Sequence, residues 1–278
     1  MTECRSFPHI HASVVALMLF QVAALLIRSM LRGHLVAAGF ELEVAKNLSF
    51  LVVPVIEIIL LWPILRDNKK ALLQLFRRPN QTLHTLMTAF CIGLAARLSY
   101  WGALIATAAF GWLGFAEPGM SAGPQFWFSC PPAPALILGV LVMTLLTPIS
   151  EEIICRGLIL GALIRGNRII AILVSAFLFA ILHDPQGIPA ALVIGVLLAL
   201  QTLNSRSLLP AMVTHATYNF LATMDWDCFH GIWNPEFVTA QSRLAGAAAI
   251  VIGSASLATA FWLARSIKGQ GKLAAPAH

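Results

Sequence analysis

Apolar stretches of bilayer length, separated by short polar connections, recur along this chain and limit what it can fold into. A hydrocarbon core about 30 Å thick takes roughly 20 apolar residues of helix. Candidates lie at residues 12–31, 48–65, 83–114, 135–160, 168–184, 187–203, 208–224 and 243–264. With 59% hydrophobic residues, 11% charged residues and a mean hydropathy of +0.82, the chain has too little polar surface to cover a soluble globule of its length. The expected fold is therefore all-α: a polytopic membrane helical bundle of about eight transmembrane helices. No linker, repeat or low-complexity tract divides it, so residues 1–278 are expected to form one domain.

The pI near 9.4 does not point to nucleic acid, because excess Lys and Arg in a membrane protein mark cytoplasmic loops. Arg66, Lys69, Lys70, Arg77 and Arg78 crowd one connection, Arg165 and Arg168 another, Arg206 a third, and Arg265, Lys268 and Lys272 the tail. Alternation of the spans puts all of these on one side, with both termini cytoplasmic. The connections 115–134 and 225–241 fall opposite, with Glu117, Asp225, Asp227 and Glu236 but no Lys or Arg. Arg28, Arg32 and Lys46, in the first outward connection, are the exception. The first apolar run, Val14 to Ile27, is expected to be an uncleaved span, since no small-residue cleavage site follows it.

The outward connections also hold Cys130 and Cys228, whereas Cys91 and Cys155 lie inside spans and Cys4 at the cytoplasmic end. An oxidising outer compartment would let Cys130 and Cys228 pair; two unrelated thiols is the open alternative. Phe126, Trp127, Phe128, Trp226, Phe229 and Trp233 in the same connections read as an interfacial aromatic belt.

Three polar signatures interrupt the apolar runs: Glu151-Glu152-x-x-x-Arg156, Phe179-x-x-x-His183 and His215-x-x-x-Asn219. Ionisable side chains are costly in hydrocarbon, so their presence there marks a candidate site. Glu152 and Arg156 stand four residues apart, a spacing that stacks a carboxylate on a guanidinium. Glu151 projects about 100° away from Glu152 around the helix, which leaves it facing a cavity as a general base. Pro148 favours a kink at this depth. The break offered by Asp184-Pro185-Gln186-Gly187 would let water approach His183, which is placed to share that water with Glu151. His215 and Asn219 are candidate hydrogen-bond donors to an oxyanion. Alternatives stay open at each position. Glu152 and Arg156 serve packing in one reading, His183 is interfacial in another, and His215 with Asn219 bridge helices in a third. Glu57 and Arg97, both mid-span, are expected to pair with one another, with Arg97 attracting a substrate carboxylate as the alternative, and His84 to lie at an interface.

The ordered triplet of motifs, within residues 135–224, resembles the CPBP family of intramembrane glutamic endopeptidases, which includes CAAX prenyl proteases and abortive-infection-like proteins. The resemblance implies a peptidase that cleaves near the C-terminus of a membrane-associated protein or peptide precursor, of CAAX type or with a bacterial C-terminal sorting tail. It implies Glu151, His183, His215 and Asn219 as catalytic residues, supported by Glu152, Arg156 and Phe179. No cofactor is expected. Zinc on Glu151, His183 and His215 is the alternative, weakened by the absence of an HExxH motif. A bacterial inner membrane is the expected location. A proton-coupled transporter or a non-catalytic scaffold on the same fold are the competing classes.

Overall fold

The computed structural model describes residues 7–8, 10–79, 81–110, 125–128, 130–183, 187–232 and 240–267. The helices are α1 (Val14–Ala37), α2 (Leu42–Leu60), α3 (Trp62–Asp67), α4 (Lys69–Leu75), α5 (Thr82–Phe110), α6 (Ala133–Leu163), α7 (Arg168–Ala180), α8 (Ile188–Ser205), α9 (Leu209–Cys228) and α10 (Ala240–Ser266). By length and composition, helices at Val14–Ala37, Thr82–Ala106, Ala133–Leu163, Ile188–Ser205 and Gly246–Ser266 are suited to crossing a membrane. Among the described residues these number 5, where the sequence pattern gave about eight. The segments of α2, α7 and α9 are helical as expected but fall short of that criterion. Glu43, Lys46 and Glu57 punctuate α2, α7 has 13 residues, and α9 has low hydrophobicity.

The outer faces of the helices carry the large apolar side chains that a lipid surface requires. Leu19 and Trp262 are each 67% exposed and Leu83 76%, a distribution inverted from that of a soluble core. The chain is an integral, multi-pass membrane protein.

Helix ends are set locally. Ser13 Oγ accepts from Ala16 N at 3.3 Å to start α1, and Asn167 Oδ1 accepts from the amides of Ile169 and Ile170 to start α7. Asn68, between α3 and α4, donates to His11 O and accepts from His11 N, which pins the chain ahead of α1 to the rest of the bundle. The tight α8–α9 connection turns at Arg206, in the left-handed region at φ 54. The Ser207 amide is held by Ser205 Oγ, and Ser207 Oγ caps Leu209 N.

Small residues allow the closest helix approaches, as bilayer packing favours. A Cβ on Gly195 in α8 would stand 2.9 Å from Ala176 Cα in α7. One on Gly102 in α5 would stand 2.6 Å from Ala249 O in α10, and α5 and α10 pack along one another extensively.

The kink expected at Pro148 takes the form of a π-widened stretch. Pro148 lacks an N–H for the ladder, and π-helical turns at Val142–Leu146 and Ile153–Ile159 flank the α-helical turn Thr147–Glu152. Such turns gather at functional sites. Here they bracket the paired glutamates.

One departure from an all-helical reading is a short antiparallel ribbon, β1 (Gln125–Phe128) with β2 (Phe229–Ile232), in the register Gln125↔Ile232 and Phe128↔Phe229. It lies where the start of α6 and the end of α9 meet, so each strand satisfies the other's backbone groups. Cys130 and Cys228 are joined beside it, with Cα atoms 4.1 Å apart. Asp184, Pro185 and Gln186 of the expected helix break lie outside the described residues, as do Cys4, Glu117, Trp233, Glu236, Lys268 and Lys272. The side chains expected to form the aromatic belt lie outside them too.

Candidate active site

Glu152 and Arg156 form the anchor of the site. Both are fully buried, with Arg156 Nη1 3.1 Å from Glu152 Oε1. Arg156 Nη2 donates to Gly195 O at 3.2 Å, a carbonyl made reachable by the close α7–α8 packing. The guanidinium also lies over the Phe179 ring, 4.4 Å from its centroid. A buried pair this well supported offsets much of its desolvation cost, since both charges have further partners.

His215, from α9, links the two glutamates. Its Nδ1 is 2.9 Å from Glu152 Oε1, and its Nε2 faces Glu151 Oε2 at 3.6 Å. A carboxylate on Nδ1 fixes the ring orientation and keeps a proton on that nitrogen, which leaves Nε2 for chemistry. Glu151 differs from its neighbour. Its side chain is 17% exposed against 0% for Glu152, and it borders a pocket formed with α1 and α2. The division of labour read from the sequence, one carboxylate neutralised and one facing a cavity, is present in the geometry.

Phe179 holds the motifs together. Its ring is 4.8 Å from that of His183 and meets His215 edge-on at 5.4 Å and 83°. His183 Nδ1 lies 3.0 Å from Phe179 O; a carbonyl only accepts, so Nδ1 carries the proton and Nε2 presents a lone pair. Leu182, beside His183, borders the same pocket as Glu151. Asn219 Nδ2 donates to Met143 O at 3.0 Å in the first π turn, just ahead of the glutamates on α6.

Several pocket groups were not read from the motifs. Gln21 and Arg28 reach in from α1 and Glu57 from α2, while Thr147 and Ser150 lie beside Glu151 on α6. Arg28 donates to Leu182 O at 3.3 Å and stacks on Phe50. The expected Glu57–Arg97 pair is corrected. Glu57 borders the pocket with Arg28 and Glu151, whereas Arg97 lies over Tyr100 and Tyr218. Periodicity cannot say which of two mid-span charges faces which neighbour. His84 is exposed.

The zinc alternative can be tested on donor chemistry. His183 Nδ1 is held by the Phe179 carbonyl and His215 Nδ1 by Glu152, which leaves Nε2 of each ring as the nitrogen a metal would use. Among the described residues, no group of three or more His, Cys, Asp or Glu side chains is arranged to hold a metal ion.

Residues 133–221, the stretch with all three motifs, match the family described as Type II CAAX prenyl endopeptidase Rce1-like. The match agrees with the CPBP resemblance and identifies this stretch as a peptidase-family domain; it leaves α1 to α5 and α10 outside it. Comparison with curated proteins and with solved structures returns no match.

Proposed function

We propose that the chain is an intramembrane endopeptidase that cleaves near the C-terminus of a membrane-associated protein or peptide precursor. The observation that carries this reading is Glu151, half-open to the pocket, with His215 Nε2 at 3.6 Å and that imidazole in turn held by the buried Glu152. A base, an orienting group and a fixed countercharge in series is the arrangement general-base hydrolysis needs.

In this mechanism Glu151 takes a proton from water, with the His183 Nε2 lone pair holding the same water. The resulting hydroxide adds to the scissile carbonyl carbon. The proton taken by Glu151 is shared with His215 Nε2, 3.6 Å away, and that N–H together with the second N–H of the Asn219 amide stabilises the tetrahedral oxyanion. The intermediate collapses as the C–N bond breaks and Glu151 returns its proton to the leaving amine. The products are a new carboxylate and a new amine.

The location proposed is a bacterial inner membrane with both termini cytoplasmic. The Cys130–Cys228 bond supports this reading, because such bonds persist on the oxidising side and this one lies at the connections free of Lys and Arg. CAAX-type and sorting-tail substrates are distinguished by offering the purified chain in liposomes a farnesylated CAAX peptide and an unmodified sorting-tail peptide. Cleavage of either that disappears in Glu151→Gln supports the reading. Cleavage that persists in that variant, or of neither peptide, contradicts it.

A further inference from the structure

We infer that Thr147 is a further oxyanion donor of this site, its hydroxyl hydrogen-bonding the tetrahedral intermediate formed by attack at Glu151. The inference rests on the endopeptidase reading above and adds a residue that none of the three motifs contains.

Thr147 precedes Glu151 by one helical turn, a spacing that puts both side chains on one face, and both border the same pocket. The residue is 4% exposed, yet its Oγ1 has no hydrogen-bond partner. That is unusual for a threonine in a helix. Thr88, Thr202, Thr217 and Thr259 each donate their hydroxyl to the carbonyl four residues back, as buried or lipid-facing hydroxyls must to avoid an unmet donor.

At Thr147 the ladder is displaced: its amide bonds Val142 O at the end of the π turn, and Met143 O, the carbonyl four residues back, accepts from Asn219 Nδ2. Thr144, inside the same turn, still back-bonds to Val140 O, so Thr147 stands out within its own segment. Pro148 contributes by removing the next donor. The result is a buried hydroxyl kept free in the pocket wall beside the proposed base.

A buried polar group without a partner calls for a physical reason, and a role in the reaction is one. Here the fitting acceptor is an oxygen that gains negative charge during catalysis. In the resting site both nitrogens of His215 face carboxylates and one Asn219 N–H is spent on Met143 O. Thr147 is a buried pocket-lining donor beside Glu151 with no hydrogen-bond partner among the described residues.

The test uses the full chain in native membranes. Membrane-protein C-termini whose trimmed form depends on Glu151 serve as the readout, and their rate of appearance after pulse labelling is followed by mass spectrometry. Thr147→Val keeps the shape and removes the hydroxyl, Thr147→Ser keeps the hydroxyl, and Glu151→Gln is the reference. Thermal stability of each purified variant is measured in parallel. The expected result is trimming about 100-fold slower in Thr147→Val, within several-fold of wild type in Thr147→Ser, and a melting temperature in Thr147→Val equal to or above wild type. Wild-type rates in Thr147→Val while Glu151→Gln is inert would overturn the Thr147 assignment and leave the endopeptidase reading standing. Equal slowing by Val and Ser, or a lowered melting temperature that accounts for the Val effect, would also overturn it. Trimming that survives in Glu151→Gln would sink the parent reading.

Discussion

His215 Nδ1 and Glu152 Oε1 lie 2.9 Å apart, and the same oxygen is 3.1 Å from Arg156 Nη1. One fully buried carboxylate oxygen thus ties α9 to α6 and orients the imidazole whose other nitrogen faces Glu151. Arg156 and Glu152 are read here as a clamp that fixes a tautomer, with Glu151 left to react.

The clamp predicts a separation of stability from chemistry. Glu152→Gln leaves the Arg156 charge buried without its counterion, a loss of about 3–5 kcal/mol, read as a fall in thermal unfolding temperature in detergent. Combining Glu152→Gln with Arg156→Met removes the stranded charge and is expected to recover most of that stability. It should recover none of the activity, because His215 no longer has a carboxylate on Nδ1.

Phe179 touches Arg156, His183 and His215 through one ring. Phe179→Leu nearly conserves apolar volume, so its stability cost is expected to stay below about 1.5 kcal/mol. Proteolytic activity should fall at least about 10-fold, the amount a modest loss of orientation costs. Equal losses in unfolding temperature and activity would show that the ring is packing alone.

Gly195→Ala places a methyl 2.9 Å from Ala176 Cα, which α7 and α8 can relieve only by separating. That movement draws Gly195 O away from Arg156 Nη2. The expected cost is about 1–3 kcal/mol, with a matching loss of activity in membranes. Unchanged unfolding would show that the helices have slack at this crossing.

The Cys130–Cys228 bond closes a loop with a sequence separation of 98. Replacing both cysteines by serine is expected to lower stability by about 2–5 kcal/mol. In intact cells, a membrane-impermeant maleimide should label these positions only after reduction from the outside. Labelling without reductant would contradict the pairing, and no labelling even after reduction would contradict the assigned orientation.

Much of the site was legible because its signals are local. Charges four residues apart on a helix announce the Glu152–Arg156 pair, and a second, adjacent acid in an apolar run announces Glu151. The Phe179–His183 pair follows the same rule. What escaped depends on packing between helices. No spacing in the sequence shows that His215 reaches Glu152 across 63 positions, or that Glu57 faces Arg28 and Glu151 instead of Arg97. The π turns were foreshadowed only by Pro148, whose missing N–H permits a kink without specifying its form. The ribbon was hidden for a different reason. Its strands are 4 residues each, too short for a period to register, and they were read as loop.

The central claim is that Glu151 is the base of a peptidase. The most direct measurement compares wild type with Glu151→Gln and Glu151→Ala, at equal expression in native membranes, by mass spectrometry of membrane-protein C-termini. The account predicts that particular C-terminal peptides lose their trimmed form in both variants while the variants remain folded. If no terminus changes in folded Glu151→Gln and Glu151→Ala, the peptidase account is wrong and a transporter or scaffold role takes its place.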